Sequence, residues 1–360
     1  MKIAYSLIAY DAIHSGVYTK ILDQITFWRS QGNLVQLFLI TDKASVHHWK
    51  NIDPSATILV DSNLASKVIN RIMLVRLASK SNPSVIYLRE SFPILIPRTK
   101  APIVLEVQSL VGNELKIRNR RMSLLFNLFK KRIYSHVSGG VFVTPELNEI
   151  NEFHFGDEIP KIAIGNAINM DRVIPLNLNP PTNLSLLFVG TPRQPWHGVS
   201  DIVRFGELNS DIDVHIVGDE GESSSPNIFF YGTLQISEYR EIASICVAGV
   251  GTLNLSAKQM AEASPLKVRE YLALGLPVIT RYRDVDLDPS SDFVLQLPVD
   301  ERSFSDFSPE IRTFLQSWTS KRVERRAVAH LDVSVKESVR LEFLEQVQYT
   351  HNANVQPKGQ

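Results

Sequence analysis

KIAYSLIAYDAIHSGVYTKILDQITFWRSQGNLVQLFLI, from Lys2 to Ile40, holds one full repeat of an architecture. Lys2 to Tyr10 is an apolar run of strand length, and Asp11 to Gly16 reads as a loop. Val17, Ile21, Ile25 and Trp28 then recur at helical spacing, Gly32 ends the helix, and Leu34 to Ile40 is a second strand. Strand, loop, helix and strand in that order build a parallel pair with a right-handed crossover. The alternation continues with short apolar runs at Val85 to Leu88, Ile103 to Val107 and Gly140 to Val143, separated by helical segments at Ala65 to Ser79 and Glu114 to Ser135. It resumes at Leu184 to Val189, with the loop Gly190 to Gly198 and a helix over Val199 to Leu208. Strands at Val214 to Val217, Ile228 to Tyr231, Val250 to Leu255 and Pro277 to Thr280 follow, interleaved with helices near Ser237 to Ile245 and Pro265 to Leu274. The stretch from Phe304 to Tyr349 reads as two or three helices.

Between the two series, Asp171 to Asn183 carries three prolines and little periodicity, as a linker does. The expected division is therefore an N-terminal Rossmann-like domain over 1–175, a second over 176–335, and a C-terminal helix and tail over 336–360 that packs back on the first domain. The fold class is α/β, two doubly wound parallel sheets facing each other. Open parallel sheets bind ligands outside the carboxyl ends of their strands, so such a pair would form one interdomain cleft. With 360 residues, two cores are expected. Lys plus Arg and Asp plus Glu each total 38, which leaves no global charge argument for a nucleic-acid partner. The lone Cys246 cannot form an internal disulfide and reads as a buried structural thiol in a reducing, cytoplasmic setting. The N-terminal run is too short and polar for a secretory signal, and no run is long enough to span a bilayer.

The chemistry is concentrated in EASPLKVREYLALGLPVI, Glu262 to Ile279. Ser264 suits an N-cap and Pro265 a first helical position, so the helix is expected to present the free amides of Leu266, Lys267 and Val268. Those amides, the helix dipole and the Lys267 ammonium form an anion site suited to phosphate. Gly275 and Pro277 stop the helix. Glu262 precedes the site and Glu270 lies about 8 Å inside the helix. This order matches a nucleotide sugar, with Glu270 on the ribose, the diphosphate at the helix end and Glu262 on the sugar. Taken singly, Glu262 reads first as a solvated loop residue and Glu270 as a surface helix residue; only the whole constellation points to the donor.

The segment resembles the E-x7-E region of retaining glycosyltransferases of family 4, which have the GT-B fold. Supporting matches are HSGV at His14 to Val17, GNAIN at Gly165 to Asn169 and FVGTPRQPWHG at Phe188 to Gly198. HIVGDEG at His215 to Gly221 and FYGTL at Phe230 to Leu234 are weaker. The resemblance implies that Glu262 contacts the transferred sugar, Glu270 the ribose and the amides after Pro265 the phosphates. It further implies that Arg193 stabilises the leaving diphosphate, Leu234 lies beside the base and Gly16 admits the donor. Two positions depart from the pattern: His197 stands where relatives commonly carry Lys, and Ala167 replaces a turn glycine. Because a free imidazole is mostly neutral at pH 7, Arg193 is expected to dominate His197 in kcat.

The family resemblance also implies a UDP- or GDP-linked hexosyl donor, retention of anomeric configuration without a protein nucleophile, and no metal cofactor. Asp284, Asp286 and Asp288 could suggest a metal motif, but a solvated loop is the simpler reading. From Leu115 to Ser135 there are seven basic residues and no acid, interleaved with large apolar side chains. This segment reads either as an interfacial helix for an anionic membrane surface or as a domain helix with a solvated basic edge. The first reading suits a polyprenyl-diphosphate-linked acceptor and a peripheral position at the inner face of a membrane; a glycan acceptor remains open, as do polysaccharide and glycolipid pathways. A GT-B epimerase and a non-catalytic donor-binding partner of a synthase are the competing functions. A nicotinamide dehydrogenase is disfavoured, since no G-x-G-x-x-G follows either first strand.

Overall fold

A computed structural model describes residues 1–10, 16–89, 96–177, 182–191, 194–234 and 236–355. The chain divides into two units, Met1–Gly165 with the stretch from Val333 onward, and Asn166–Asp332. The first contains strands β1 (Lys2–Ile8), β2 (Leu34–Thr41), β3 (Thr57–Val60), β4 (Val85–Arg89), β5 (Ile103–Val107), β6 (Gly139–Phe142) and β7 (Lys161–Ala163). Its helices are α1 (Gly16–Ser30), α2 (Val46–Ile52), α3 (Leu64–Lys80), α4 (Val111–Arg118), α5 (Arg120–Ile133) and α6 (Pro145–Ile150). The strands form one parallel sheet in the order β3-β2-β1-β4-β5-β6-β7.

The second unit contains β8 (Leu184–Val189), α7 (Val199–Leu208), β9 (Ile212–Val217), β10 (Ile228–Phe230), α8 (Ile236–Ser244), β11 (Ala248–Val250), β12 (Glu262–Ala263), α9 (Leu266–Leu274), β13 (Val278–Thr280), β14 (Arg283–Asp284), β15 (Val294–Gln296) and α10 (Ser308–Trp318). Its parallel sheet runs β10-β9-β8-β11-β13-β15, and β12 pairs separately with β14. A long final helix, α11 (Val333–Val355), belongs to the first unit. Leu341, Phe343, Leu344 and Val347 of α11 share a core with Ile3, Tyr5, Ile21, Ile25 and Trp28.

Several boundaries differ from the sequence-based expectation, each for a local reason. The chain divides earlier than 175/176, because the turn after Gly165 is tied into the second unit: Asn166 to Ser264, and Ile168 to Leu331. The single helix expected over Glu114 to Ser135 is two helices, since Asn119 accepts from the Arg121 and Met122 amides and caps a new helix. Val17 is exposed rather than in the core. The strand expected over Val250 to Leu255 ends at Val250, where the amides of Leu253 and Asn254 instead bond the carbonyls of His197 and Trp196. Cys246 is buried, with its thiol donating to the Ile242 carbonyl.

Candidate functional site

In the second unit the chain runs outward from β8 to β9 and β10, then returns to β11 on the other side of β8. This reversal puts a crevice outside the carboxyl ends of β8 and β11. The loop after β8 contains a short 3-10 turn, Pro195–His197, stitched to the loop after β11 by the two amide bonds just described. Gly218, after β9, has φ +95°, and a Cβ there would lie 1.7 Å from the Gly190 carbonyl oxygen. Only glycine lets the two strand ends approach so closely.

Helix α9 reaches the same edge. Tyr271 accepts a hydrogen bond from the Val189 amide at 2.7 Å, and its ring lies on Gly249, where a Cβ would sit 2.2 Å from the ring. Gly275 ends the helix in the left-handed region, and the Leu276 amide returns to the Tyr271 carbonyl. The N-cap is Pro265, not Ser264 as expected. The Ser264 hydroxyl is engaged elsewhere: it accepts from the Asn166 amide at 2.7 Å and from Arg269 Nη2 at 2.7 Å. Val268 is likewise not free, since its amide bonds the Pro265 carbonyl. Leu266 and Lys267 are thus the amides ahead of the helix's first internal bond.

Arg269 is fully buried and ties this helix end to its surroundings. It pairs with Asp284 at 2.6 and 2.8 Å and with Asp286 at 2.7 Å, and its Nε donates to the Asn166 carbonyl. The expectation of a solvated acidic loop therefore fails for Asp284 and Asp286, which neutralise a buried guanidinium, and holds only for the exposed Asp288. Among the described residues no group of three or more His, Cys, Asp and Glu is placed to hold a metal ion. GNAIN, with Ala167 buried in it, is consequently fastened to the start of α9 through Ser264 and Arg269.

The side chains singled out in the sequence cluster in part. Glu262 on β12 is buried and ion-paired to Arg283 on β14, its cross-strand partner. Lys267 is partly exposed along its stem, but its Nζ is buried 3.9 Å from the centroid of the Phe188 ring. Among the described residues nothing accepts a hydrogen bond from that Nζ. Burial pushes the Lys267 ammonium down to about 7, with the charge of Glu270 pulling the other way. His197 packs edge-on against the same Phe188 ring, at 5.6 Å between centroids. Burial, reinforced by the Lys267 charge, pushes its imidazole down to about 3, so it is neutral at pH 7. Glu270 is buried and accepts from the Tyr239 hydroxyl of α8 at 2.7 Å. Desolvation raises its pKa, while the Tyr239 bond and the charges of Arg172 and Lys267 oppose the rise.

Leu234 packs against the core ahead of α8. Arg193 and the histidine of HSGV, His14, lie outside the described residues, and Gly16 opens α1 in the first unit. Sequence reasoning missed Phe188 as the seat of Lys267, Tyr239 as the partner of Glu270, and Arg283 as the partner of Glu262. Only Phe188, inside a quoted motif, carried a signal.

No protein-family model matches the chain, and no curated protein sequence matches it. Solved structures do. A sucrose-phosphate synthase from Thermosynechococcus elongatus superposes with TM-score 0.68 at 13% identity, over 96% of this chain and 99% of that one. HepE of Anabaena, solved with UDP and glucose, gives 0.67 at 14% identity over 96% and 100%. A glycosyltransferase from Rickettsia africae gives 0.65 at 14% over 96% and 98%. The fold is GT-B. Two all-parallel α/β sheets and an end-to-end match to these structures establish that much.

Proposed function

We propose that this chain transfers a sugar from a nucleoside diphosphate sugar to an acceptor, with the donor held by the second unit. The observation that carries this reading is the helix end of α9: two leading amides, a buried ammonium that lies on the Phe188 ring with no hydrogen-bond acceptor among the described residues, and a buried carboxyl on either side. A buried cation without an acceptor is costly unless an anion completes it. A diphosphate at the helix terminus supplies that anion. In this reading Glu270 accepts from ribose hydroxyls, Leu234 borders the base, Glu262 orients the sugar, and Lys267 with Arg193 stabilises the departing diphosphate. His197 is uncharged and contributes shape rather than charge. UDP-linked donors are favoured by the fold's similarity to HepE, whose structures hold UDP, UDP-glucose, or UDP with glucose.

The sequence resemblance to family 4 supports retention, with the leaving phosphate acting on the acceptor from the same face and no metal taking part. A glycan or polyprenyl-diphosphate-linked acceptor fits the same resemblance, with the first unit on the acceptor side. The test is incubation with UDP- and GDP-linked sugars, with and without such acceptors, read by product mass and by the anomeric configuration of the product. Glycosylated acceptor plus slow donor hydrolysis is expected, undiminished by excess chelator. Epimerised donor in the absence of acceptor, or donor binding without turnover, would replace transfer by one of the competing functions.

A further inference from the structure

Helix α5 presents a face that the fold of its unit does not use. Steps of about 100° per residue put Ser123 and Phe126 on one side of the helix, where both are buried. Ser123 donates to the Gly112 carbonyl, and Phe126 packs edge-on against Tyr134 and Phe153. The opposite side carries Leu124, Leu125, Leu128 and Phe129, which are 61, 52, 76 and 53% exposed. Arg120 and Arg121 stand at one end of this apolar band and Lys131 and Arg132 at the other, all exposed. Lys130, by contrast, points toward the packed side, where its charge acts on Glu152.

We propose that this face of α5 docks on an anionic lipid surface. The whole chain is formally neutral, so four exposed cations on one side of one helix form a local concentration. Two of them, Arg120 and Arg121, occupy the first turn, where the helix dipole disfavours positive charge. Their placement thus works against the isolated helix and answers to something outside it. A bilayer with acidic headgroups meets both features at once: acyl chains take the leucines and Phe129 while headgroups meet the arginines and the lysine. A second copy of the same face would instead bring like charges together.

The test is flotation of the full chain, without donor, on vesicles of phosphatidylglycerol and phosphatidylcholine and on vesicles of phosphatidylcholine alone. Binding to the acidic vesicles only, weakened by salt, is expected. Both a charge variant (Arg120→Gln, Arg121→Gln, Lys131→Gln, Arg132→Gln) and an apolar variant (Leu128→Gln, Phe129→Gln) should bind at least about ten-fold less. Melting temperatures matching the unmodified chain would show that both variants fold. Absence of flotation, or flotation unchanged in both variants, overturns the proposal. So does a concentration-dependent dimer, seen by light scattering, that Leu128→Gln abolishes. Because no donor is present, the outcome is independent of the proposed transferase activity.

Discussion

In the first unit, buried Glu106 on β5 is met by Lys20 at 2.7 Å, Arg89 at 3.3 Å and Arg340 of α11 at 3.7 Å. Arg340 also bonds Glu337 at 2.9 Å and Tyr87 at 3.0 Å, and Glu337 accepts from Gln24 and Trp28. At the start of α9 in the second unit, Lys267 is buried as deeply at its nitrogen but faces a phenyl ring. Both units bury charge next to the carboxyl ends of parallel strands. The first gives each of its three cations a carboxylate and so ties α11 to its sheet, with only Arg340 Nη2 left over within it, whereas in the second no described residue accepts from the Lys267 nitrogen. Buried ions completed internally read as architecture, and an uncompleted one reads as a binding group.

The largest effect should come from opening the closed cluster. Glu106→Gln leaves Lys20, Arg89 and Arg340 together without their shared anion, and should lower stability by about 3 to 5 kcal/mol in denaturant unfolding. Burial alone would raise the Glu106 pKa, but the three cations outweigh it and hold the carboxyl well below the usual range. A depressed folded pKa contributes stability that is full above the unfolded value, about 4.3, and is lost as pH falls below it. The unmodified chain should therefore weaken in acid more steeply than the variant. Equal stability of the two at neutral pH would erase the contrast with α9.

Lys267→Met probes the other side of the comparison and should act in the opposite direction on stability. The Lys267 pKa, pushed down to about 7, lies below the unfolded value of about 10.4. The unfolded chain therefore binds the extra proton between these values. The cost to the folded state is full below pH 7 and is relieved as pH rises toward 10. The variant should be as stable as the parent or more so near neutrality, with the gain vanishing in alkali. Its affinity for UDP should fall about 10- to 150-fold, the equivalent of about 1.5 to 3 kcal/mol for a charged hydrogen bond. In the parent, UDP affinity should decline as pH rises through about 7; calorimetry in two buffers reads the linked proton. A variant that loses stability but keeps UDP affinity would make Lys267 structural.

What the sequence made legible follows from distance along the chain. Helical spacing and a terminal glycine placed α9 to within one residue, and the strands at Ile103 to Val107 and Leu184 to Val189 were read to the residue. Local capping went wrong at Ser264 because its hydroxyl answers to Asn166, 98 positions away, and to a buried guanidinium. The closed cluster was invisible for the same reason. Gln24 and Glu337 are 313 positions apart, and Arg340 and Tyr87 are 253 apart, so no spacing rule links them. The acidic run at Asp284 was misread because its counter-charge, Arg269, sits on the face of α9 that looks like ordinary core.

The smallest of these effects tests whether the open cluster includes Tyr239. Its hydroxyl donates to Glu270 Oε2 and is one of the influences that keep this buried carboxyl from rising further in pKa. Tyr239→Phe removes the bond and leaves the ring. Glu270 should then protonate more readily, and a protonated carboxyl accepts poorly from a ribose hydroxyl. Donor KM should rise about 2- to 10-fold, corresponding to about 0.5 to 1.5 kcal/mol, with kcat unchanged. The penalty should be greatest at acid pH and shrink as pH rises, because alkali restores the carboxylate. Discrimination between UDP and 2′-deoxy-UDP should narrow with it. If Tyr239 only props α8 against α9, the variant will instead lose stability, its KM change will be the same at every pH, and ribose selectivity will stay where it was.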